Sequence, residues 1–303
     1  MKVLVLGASG MLGSMVLDFL IRDNDLNVAT TLRNQTEGAV PRGISCFQLD
    51  AERAGTQEVT DLLSGFDWAI NAIGVIKTHI HDDQTDEVQR AIRVNSLFPH
   101  LLAKASISTG CRVLQIATDC VYAGCQGAYV EKDPHDALDV YGKTKSLGEV
   151  MSPGFHNLRC SIVGPEQKDR CSLLEWFLGQ PKKGAVTGYL NHFWNGVTTL
   201  HFAKICSGII KQGLPLPGLT HLMPSDTLSK GELLRSFAMA FGREDLAINL
   251  CMVDHPVDRS LSTLDPALNR RIWQSAGYHE PPSLDAMIRE LASYIHTQKG
   301  ILQ

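Results

Sequence analysis

The strongest constraint on this chain lies near its amino terminus, where the apolar run Lys2–Leu6 breaks into Gly7-Ala-Ser-Gly10-Met-Leu-Gly13. Leu12, Met15, Val16, Phe19 and Leu20 then recur at helical spacing, so the segment reads as strand, tight turn and helix. Glycine is needed for three reasons here: the first turns the chain, the second lets a diphosphate reach backbone N–H groups, and the third lets helix pack closely on strand. The helix start then faces the anion with unpaired N–H groups and the positive end of its dipole. Gly7, Ser9, Gly10, Met11, Leu12 and Gly13 are accordingly assigned to a dinucleotide.

Further strands are legible at Val28–Leu32, Ile44–Leu49, Trp68–Ala72, Arg112–Ala117 and Asn157–Val163, with helical segments at Gln57–Leu63, Asp86–Ser108 and Val140–Met151 between them. Such alternation predicts an α/β fold, a Rossmann-type doubly wound parallel sheet with helices on both faces. Pro99 should kink or restart the long helical segment. Beyond Gly164 the alternation weakens into helices separated by Gly- and Pro-rich loops such as Gly213-Leu-Pro-Leu-Pro-Gly218. The expected division is therefore 1–164 as nucleotide domain and 165–303 as a smaller, mostly helical substrate lobe, with segments free to return to the first domain. Ser229-Lys-Gly-Glu232 has capping-box spacing and opens one of those helices.

Composition narrows the function. With 44% hydrophobic and 20% charged residues the chain is globular, and a net charge of −4 gives no attraction to nucleic acid or acidic membranes. No apolar run is long enough to span a bilayer, and the first run passes into Gly-Ala-Ser-Gly without the apolar core of a secretion signal. The eight cysteines include no C-x-x-C pair, and the histidines no H-E-x-x-H, so no metal site is expected. A cytoplasmic location is expected.

NAD-selective sites place an acid at the end of the second strand, whereas this one ends Thr30-Thr31-Leu32-Arg33. Arg33 would instead pair with a 2′-phosphate through its guanidinium fork, which favours NADP(H) over NAD(H). Asp50 closes the third strand near the expected adenine, and Asn71, Ala72 and Gly74 close the fourth at the ligand-binding edge.

Thr118-Asp119 ends a strand, and Tyr141-Gly-Lys-Thr-Lys145 follows. Four residues apart on a helix, Tyr141 and Lys145 share a face. A phenol is a poor acid at neutral pH, and a neighbouring ammonium stabilises its phenolate. The Thr118 hydroxyl would bond and orient the carbonyl that Tyr141 protonates. Lys77 is read as a contact to sugar or diphosphate, and Trp194 as a ring for stacking on a base.

Ile116-Ala-Thr-Asp-Cys-Val-Tyr122, Tyr129-Val-Glu131 and Asp139-Val-Tyr-Gly-Lys-Thr-Lys-Ser-Leu-Gly-Glu149 resemble the dTDP-4-dehydrorhamnose reductase family of extended short-chain dehydrogenases. Asn95 matches that family's helix asparagine, Asn195-Gly-Val-Thr-Thr199 its substrate-side turn, and Arg259-Ser-Leu its late Arg-x-Leu segment. The resemblance implies hydride transfer from NADPH to the C4 ketone of a nucleotide-linked 4-keto-6-deoxysugar, in surface-polysaccharide precursor synthesis. It places Tyr141 as proton donor, Lys145 on the nicotinamide ribose, Ile162 against the nicotinamide, and Asp119, Asn195, Thr198 and Arg259 on the substrate side. Alternatives are a 4-epimerase, and a non-catalytic subunit similar to the regulatory subunit of methionine adenosyltransferase. The implied partner is a nucleotide sugar, with a homodimer left open.

Overall fold

The computed structural model describes residues 1–34, 40–166 and 170–301. The first half runs β1 Lys2–Leu6, α1 Met11–Leu20, β2 Asn27–Leu32, β3 Ser45–Gln48, α2 Thr56–Leu63, β4 Trp68–Asn71, α3 Thr85–Ala91, α4 Phe98–Thr109, β5 Arg112–Ala117, α5 Val140–Leu147 and β6 Phe155–Arg159. It continues as β7 Ile162–Val163, α6 Leu173–Leu178, β8 Ala185–Tyr189, β9 His192–Trp194, β10 Val197–Thr198, α7 Thr199–Gln212 and β11 Leu219–His221. The remainder is β12 Leu228–Ser229, α8 Lys230–Phe241, β13 Ala247–Cys251, β14 Val257–Asp258, α9 Pro266–Ser275 and α10 Leu284–Ile301.

Seven strands form one parallel sheet in the order β11-β6-β5-β4-β1-β2-β3. The order reverses between β1 and β4, which opens a crevice at the carboxyl ends of the strands, where sheets of this kind take their ligands. Both faces are covered. Val3 and Val5 point into the core beneath α1 and α7, Leu4 and Leu6 into that beneath α2 and α4, and all four are fully buried. That explains why the first strand is apolar throughout instead of alternating. The fold is the expected Rossmann-type doubly wound α/β sheet, carrying a smaller lobe of helices and short strands. The lobe's strands form a parallel pair, β8 with β13, and a three-stranded sheet in the order β12-β9-β14. Its core, including Leu233, Phe237 and Ile288, is continuous with that beneath α1.

Three boundaries differ from the sequence reading. The segment expected as one strand at Asn157–Val163 is two, because β7 leaves the sheet to pair with β10. Gly196 permits this approach, since a Cβ there would stand 2.3 Å from the Ser161 carbonyl oxygen. The long helical segment is interrupted by a π-helical turn at Ile92–Leu97, and Pro99 lies in the first turn of α4 directly after it. The helix expected to reach Met151 ends at Leu147, just before Gly148, where a Cβ would stand 2.0 Å from the Asn95 carbonyl oxygen.

Arg159, at the end of β6, is fully buried. Its guanidinium donates to both carboxylate oxygens of Glu149, from Nε to Oε1 at 2.9 Å and from Nη2 to Oε2, and also donates to the Tyr122 hydroxyl at 2.5 Å. It reaches His221 Nε2 at 2.8 Å and His135 Nε2 at 2.7 Å. A guanidinium only donates, so both imidazoles must accept through Nε2. Their Nδ1–H groups then donate to the Ser262 carbonyl at 2.6 Å and the Ser146 hydroxyl at 2.6 Å. Both rings are thereby held neutral. Burial, with the Arg159 charge adding to it, lowers both from the ordinary histidine value of 6.5.

A histidine lowered in the folded state is neutral there but takes up a proton near pH 6.5 when unfolded. Its contribution to stability is present above that value and is lost as pH falls below it. His156 and His201 are lowered as well, mainly by burial. Chemical denaturation at stepped pH should therefore show the unfolding midpoint falling between pH 6.5 and 5, above the range in which carboxylates titrate. A midpoint that stays level across this interval would contradict the neutral assignment.

Candidate active site

The turn after β1 is built as its spacing requires. Gly7 has φ +84°, and a Cβ on Gly13 would stand 2.2 Å from the Gly7 carbonyl oxygen, so α1 rests directly on the turn. At Gly10 a Cβ would meet only the Gly7 oxygen at 3.5 Å, which leaves its outer side open. Gly10 is also the N-cap of α1, and no side chain caps the helix. The first-turn N–H groups, at Met11 and Leu12, therefore have no side-chain acceptor. A free helix start beside an open glycine fits a diphosphate.

The other residues expected around a dinucleotide fall along the same carboxyl edge. Arg33 is exposed just past β2. Asp50 is half-buried and accepts from the Glu52 N–H at 3.1 Å, so one carboxylate oxygen is already used in its own turn. Asn71 is fully buried: its amide donates to Gln115 Oε1 at 2.6 Å and its oxygen accepts from the Ile73 N–H at 3.1 Å. The side chain thus ties β4 to β5, while the Ala72 N–H donates to the Leu6 carbonyl at 3.1 Å and Gly74 lies against the Asn95 side chain. Ile162 is half-buried in β7.

Thr118, Asp119, Tyr141 and Lys145 are brought together across the gap between β5 and α5. Thr118 is buried, donates to Asp119 Oδ1 at 3.2 Å and accepts from the Cys120 N–H at 3.2 Å. Burial, with Cys120 beside it, pushes the Tyr141 phenol well above its ordinary value, and the Thr118 hydroxyl opposes the shift. Tyr141 is thus kept protonated, the form a proton donor needs. Lys145 is buried and donates to the Ile116 carbonyl at 3.0 Å. Burial brings its ammonium down to about 8, opposed first by Glu149.

Two devices aim α5. Asp139 is its N-cap, accepting from the Gly142 N–H at 2.8 Å, while its other oxygen takes Lys77 Nζ at 2.7 Å. Such a cap stabilises a helix by about 1 kcal/mol. Burial would raise the Asp139 carboxyl, but Lys77 and the Gly142 N–H outweigh it and hold it low. Gly142 has no room for a side chain, since a Cβ would stand 2.5 Å from the Cys120 carbonyl oxygen. From the π-helical turn, Asn95 accepts from the Val75 N–H at 2.8 Å and donates to the Val75 carbonyl at 3.0 Å. It pins the loop after β4 against α5, with Thr144 Oγ1 at 3.3 Å.

The smaller lobe covers this gap. Trp194 is 4% exposed and packed in the core, so its ring does not face open space. Thr198 is fully buried as the N-cap of α7, engaged with His201. Asn195 exchanges two bonds with Leu261, donating to its carbonyl at 2.7 Å and accepting from its N–H at 2.9 Å. That clamp holds the preceding Arg259, whose Nε donates to the Tyr122 carbonyl at 2.8 Å. Burial raises the Asp119 carboxyl, opposed by Arg259 and then Lys230. Lys230 was missed in the sequence reading, which took its segment only as a helix cap. The available signal was a cation in the first turn of α8, where the helix dipole disfavours positive charge.

Comparison with known proteins agrees with this architecture. The beta subunit of methionine adenosyltransferase 2 from Danio rerio is 27% identical over 254 residues, spanning 79% of this chain and 74% of that protein. A dTDP-4-dehydrorhamnose reductase from Bacillus anthracis, solved in complex with NADP, superposes with a TM-score of 0.73 at 16% identity, covering 97% of this chain and 99% of that one. The corresponding enzyme from Clostridium acetobutylicum gives a TM-score of 0.70 at 18% identity over 98% of this chain and 100% of that one. Likeness at these identities is likeness of fold. Residues 1–162, just over half of the chain, match the family model described as the RmlD substrate binding domain, and the chain belongs to that family.

Proposed function

We propose that this protein reduces the C4 ketone of a nucleotide-linked 4-keto-6-deoxysugar with NADPH, in the making of a surface-polysaccharide precursor. The observation that carries the reading is the convergence of Thr118, Tyr141 and Lys145 at the carboxyl edge of the sheet, beside the uncapped start of α1.

In this reading Gly7, Ser9, Gly10, Met11, Leu12 and Gly13 hold the cofactor's diphosphate. Arg33 favours NADP(H) over NAD(H) by pairing with the 2′-phosphate, and Asp50 lies towards the adenine. Asn71 sets the edge by its bonds to Gln115 and Ile73, while Ala72, Gly74 and Ile162 line the path of the nicotinamide half. When bound, the dihydronicotinamide supplies the hydride. Thr118 orients the ketone oxygen, and Tyr141, kept protonated by burial, delivers a proton to that oxygen. Lys145 holds the ribose and offers positive charge as the phenolate develops. Lys77, Asp119, Asn195 and Arg259 shape the substrate side, Asn195 through its clamp on Leu261. The cores around Trp194 and Thr198 favour a supporting part for these two.

A second reading is favoured by the similarity to the methionine adenosyltransferase subunit. There the same site binds a nucleotide without turnover, and the chain acts by assembling with a catalytic partner.

Four outcomes test these assignments. Tyr141→Phe should lower kcat by about 10²- to 10⁴-fold while cofactor binding persists, measured as NADPH oxidation with a panel of nucleotide 4-keto-6-deoxysugars. Wild-type protein that binds NADPH but turns over no member of the panel would favour the second reading. Reduction should slow as pH rises through about 8, where Lys145 gives up its proton. Arg33→Ser should weaken NADPH about 10- to 100-fold and leave NADH nearly unchanged, as expected for a charge-assisted pair of ~1.5–3 kcal/mol. Gly13→Ala should cost about 1–3 kcal/mol of stability and abolish cofactor binding, because its methyl group would overlap the Gly7 carbonyl.

A further inference from the structure

The β8-β13 pair of the smaller lobe is parallel, a kind of sheet ordinarily covered on both faces. Here only one face is covered. Val186 and Gly188 of β8 point towards α8, and Gly188 has no room for a side chain, since a Cβ there would stand 2.7 Å from the Gly231 Cα. Ala185, Thr187 and Tyr189 point the other way and are exposed, as are Ala247 and Asn249 beside them in register.

The hydrogen bonds fix which backbone groups this pair leaves over. It begins with the Ala247 N–H on the Gly184 carbonyl at 2.9 Å and ends with the Leu190 N–H on the Cys251 carbonyl at 2.8 Å. Between these points the register joins Ala247, Asn249 and Cys251 of β13 to Gly184, Val186, Gly188 and Leu190 of β8. The N–H and C=O groups of Ala185, Thr187 and Tyr189 therefore leave β8 on its outer side, where no further strand lies among the described residues. Edges of this kind are usually blunted by a charge, a proline or a bulge. Ala185-Val-Thr-Gly-Tyr189 carries none of them, and its register is uninterrupted.

The edge is complementary to itself. Antiparallel pairing of two copies about Thr187 sets Ala185 against Tyr189 of the other copy and Thr187 against Thr187, and it uses every outward N–H and C=O group of both. The small side chain of Ala185 leaves space for the ring opposite it. Tyr189 and Leu190 are exposed, as is Met252 next to the Cys251 that bonds Leu190, so apolar surface lies at the same end. Charge favours β8 over β13 as the joining strand. Pairing about Thr187 brings the exposed Lys182 and Lys183 opposite His192 and Asn191 of the second copy. The Asn191 side chain holds Val253, just ahead of the exposed Asp254, so cations approach an acid. Self-pairing of β13 about Asn249 would instead set Glu244 opposite Asp254, acid against acid.

We infer that the outer edge of β8 joins a second copy of this chain, making one four-stranded sheet across a two-fold axis at Thr187. The inference is independent of the reductase reading, since β8 carries none of the residues assigned to catalysis.

The test is sedimentation velocity of the full chain over a range of concentrations. The wild type should sediment as a dimer at about 100 µM and dissociate on dilution towards ~1 µM, as suits a contact of small area. Thr187→Lys and Thr187→Asp, each checked for an unchanged thermal midpoint, should each weaken the dimer by about tenfold or more, because position 187 meets itself and like charges directly opposite repel. An equal mixture of the two variants should recover the dimer. Amide hydrogen exchange of the wild type provides a second measure that needs no substitution: the Ala185, Thr187 and Tyr189 N–H groups should be protected in the concentrated sample and exchange faster in the dilute one. A wild type that stays monomeric at about 100 µM would overturn the inference. So would a dimer that both variants leave intact, a mixture that fails to recover, or exchange at these three amides that is the same at both concentrations.

Discussion

A guanidinium buried at the end of a central strand is the constraint around which this molecule is arranged. Arg159 has no access to water, so each of its donors must find an acceptor within the protein. Glu149 answers the charge from just beyond α5, Tyr122 and His135 from the connection between β5 and α5, and His221 from β11. Four separate stretches of chain are thus drawn to one point. Removing either partner of such a pair is far more damaging than never having had it, because the remaining charge is stranded.

The site inherits its precision from that point. Glu149 lies one helical turn past Lys145, so fixing it fixes the end of α5, and the Asp139 cap fixes the beginning. Between these anchors Tyr141 and Lys145 have little freedom. On the far wall the same network reaches through His221 to the Ser262 carbonyl, while Glu131 takes Thr263 and the Leu264 N–H at 2.6 and 2.9 Å. Together with the Asn195 clamp these bonds hold the Arg259 segment in place from both ends. The two walls of the gap, α5 on one side and the Arg259 segment on the other, are therefore positioned by polar contacts that meet at Arg159 and His221.

How much of this is legible in the sequence depends on the range of the interaction. The Gly7–Gly13 turn, the strand alternation, and the shared face of Tyr141 and Lys145 are local patterns, so spacing alone reveals them. The capping box at Ser229 and Glu232 is equally local and is present as read. What spacing does not reveal is which distant residue completes a buried charge. Arg159 stands in the apolar stretch Asn157-Leu-Arg159-Cys160, and its partners lie up to 62 residues away. Trp194 and Thr198 illustrate the converse. Thr198 belongs to a segment that resembles a substrate turn and Trp194 directly precedes it as a ring read for stacking, yet capping and packing occupy their side chains. Lys230 was hidden by its own cap, since a residue that fits a helix-start pattern draws no attention to its charge.

The π-helical turn at Ile92–Leu97 has a consequence for exchanging parts between related proteins. One residue more per turn than an ordinary α-helix advances every later side chain by about 100° around the axis. Asn95 faces Val75, and α4 faces the sheet, only because that offset lies between α3 and α4. A straight helix of equal length, grafted from another nucleotide-binding domain, would match in hydrophobic pattern at one end and be rotated out of phase at the other. The segment is transferable as a unit with its irregular turn, and not as two interchangeable halves.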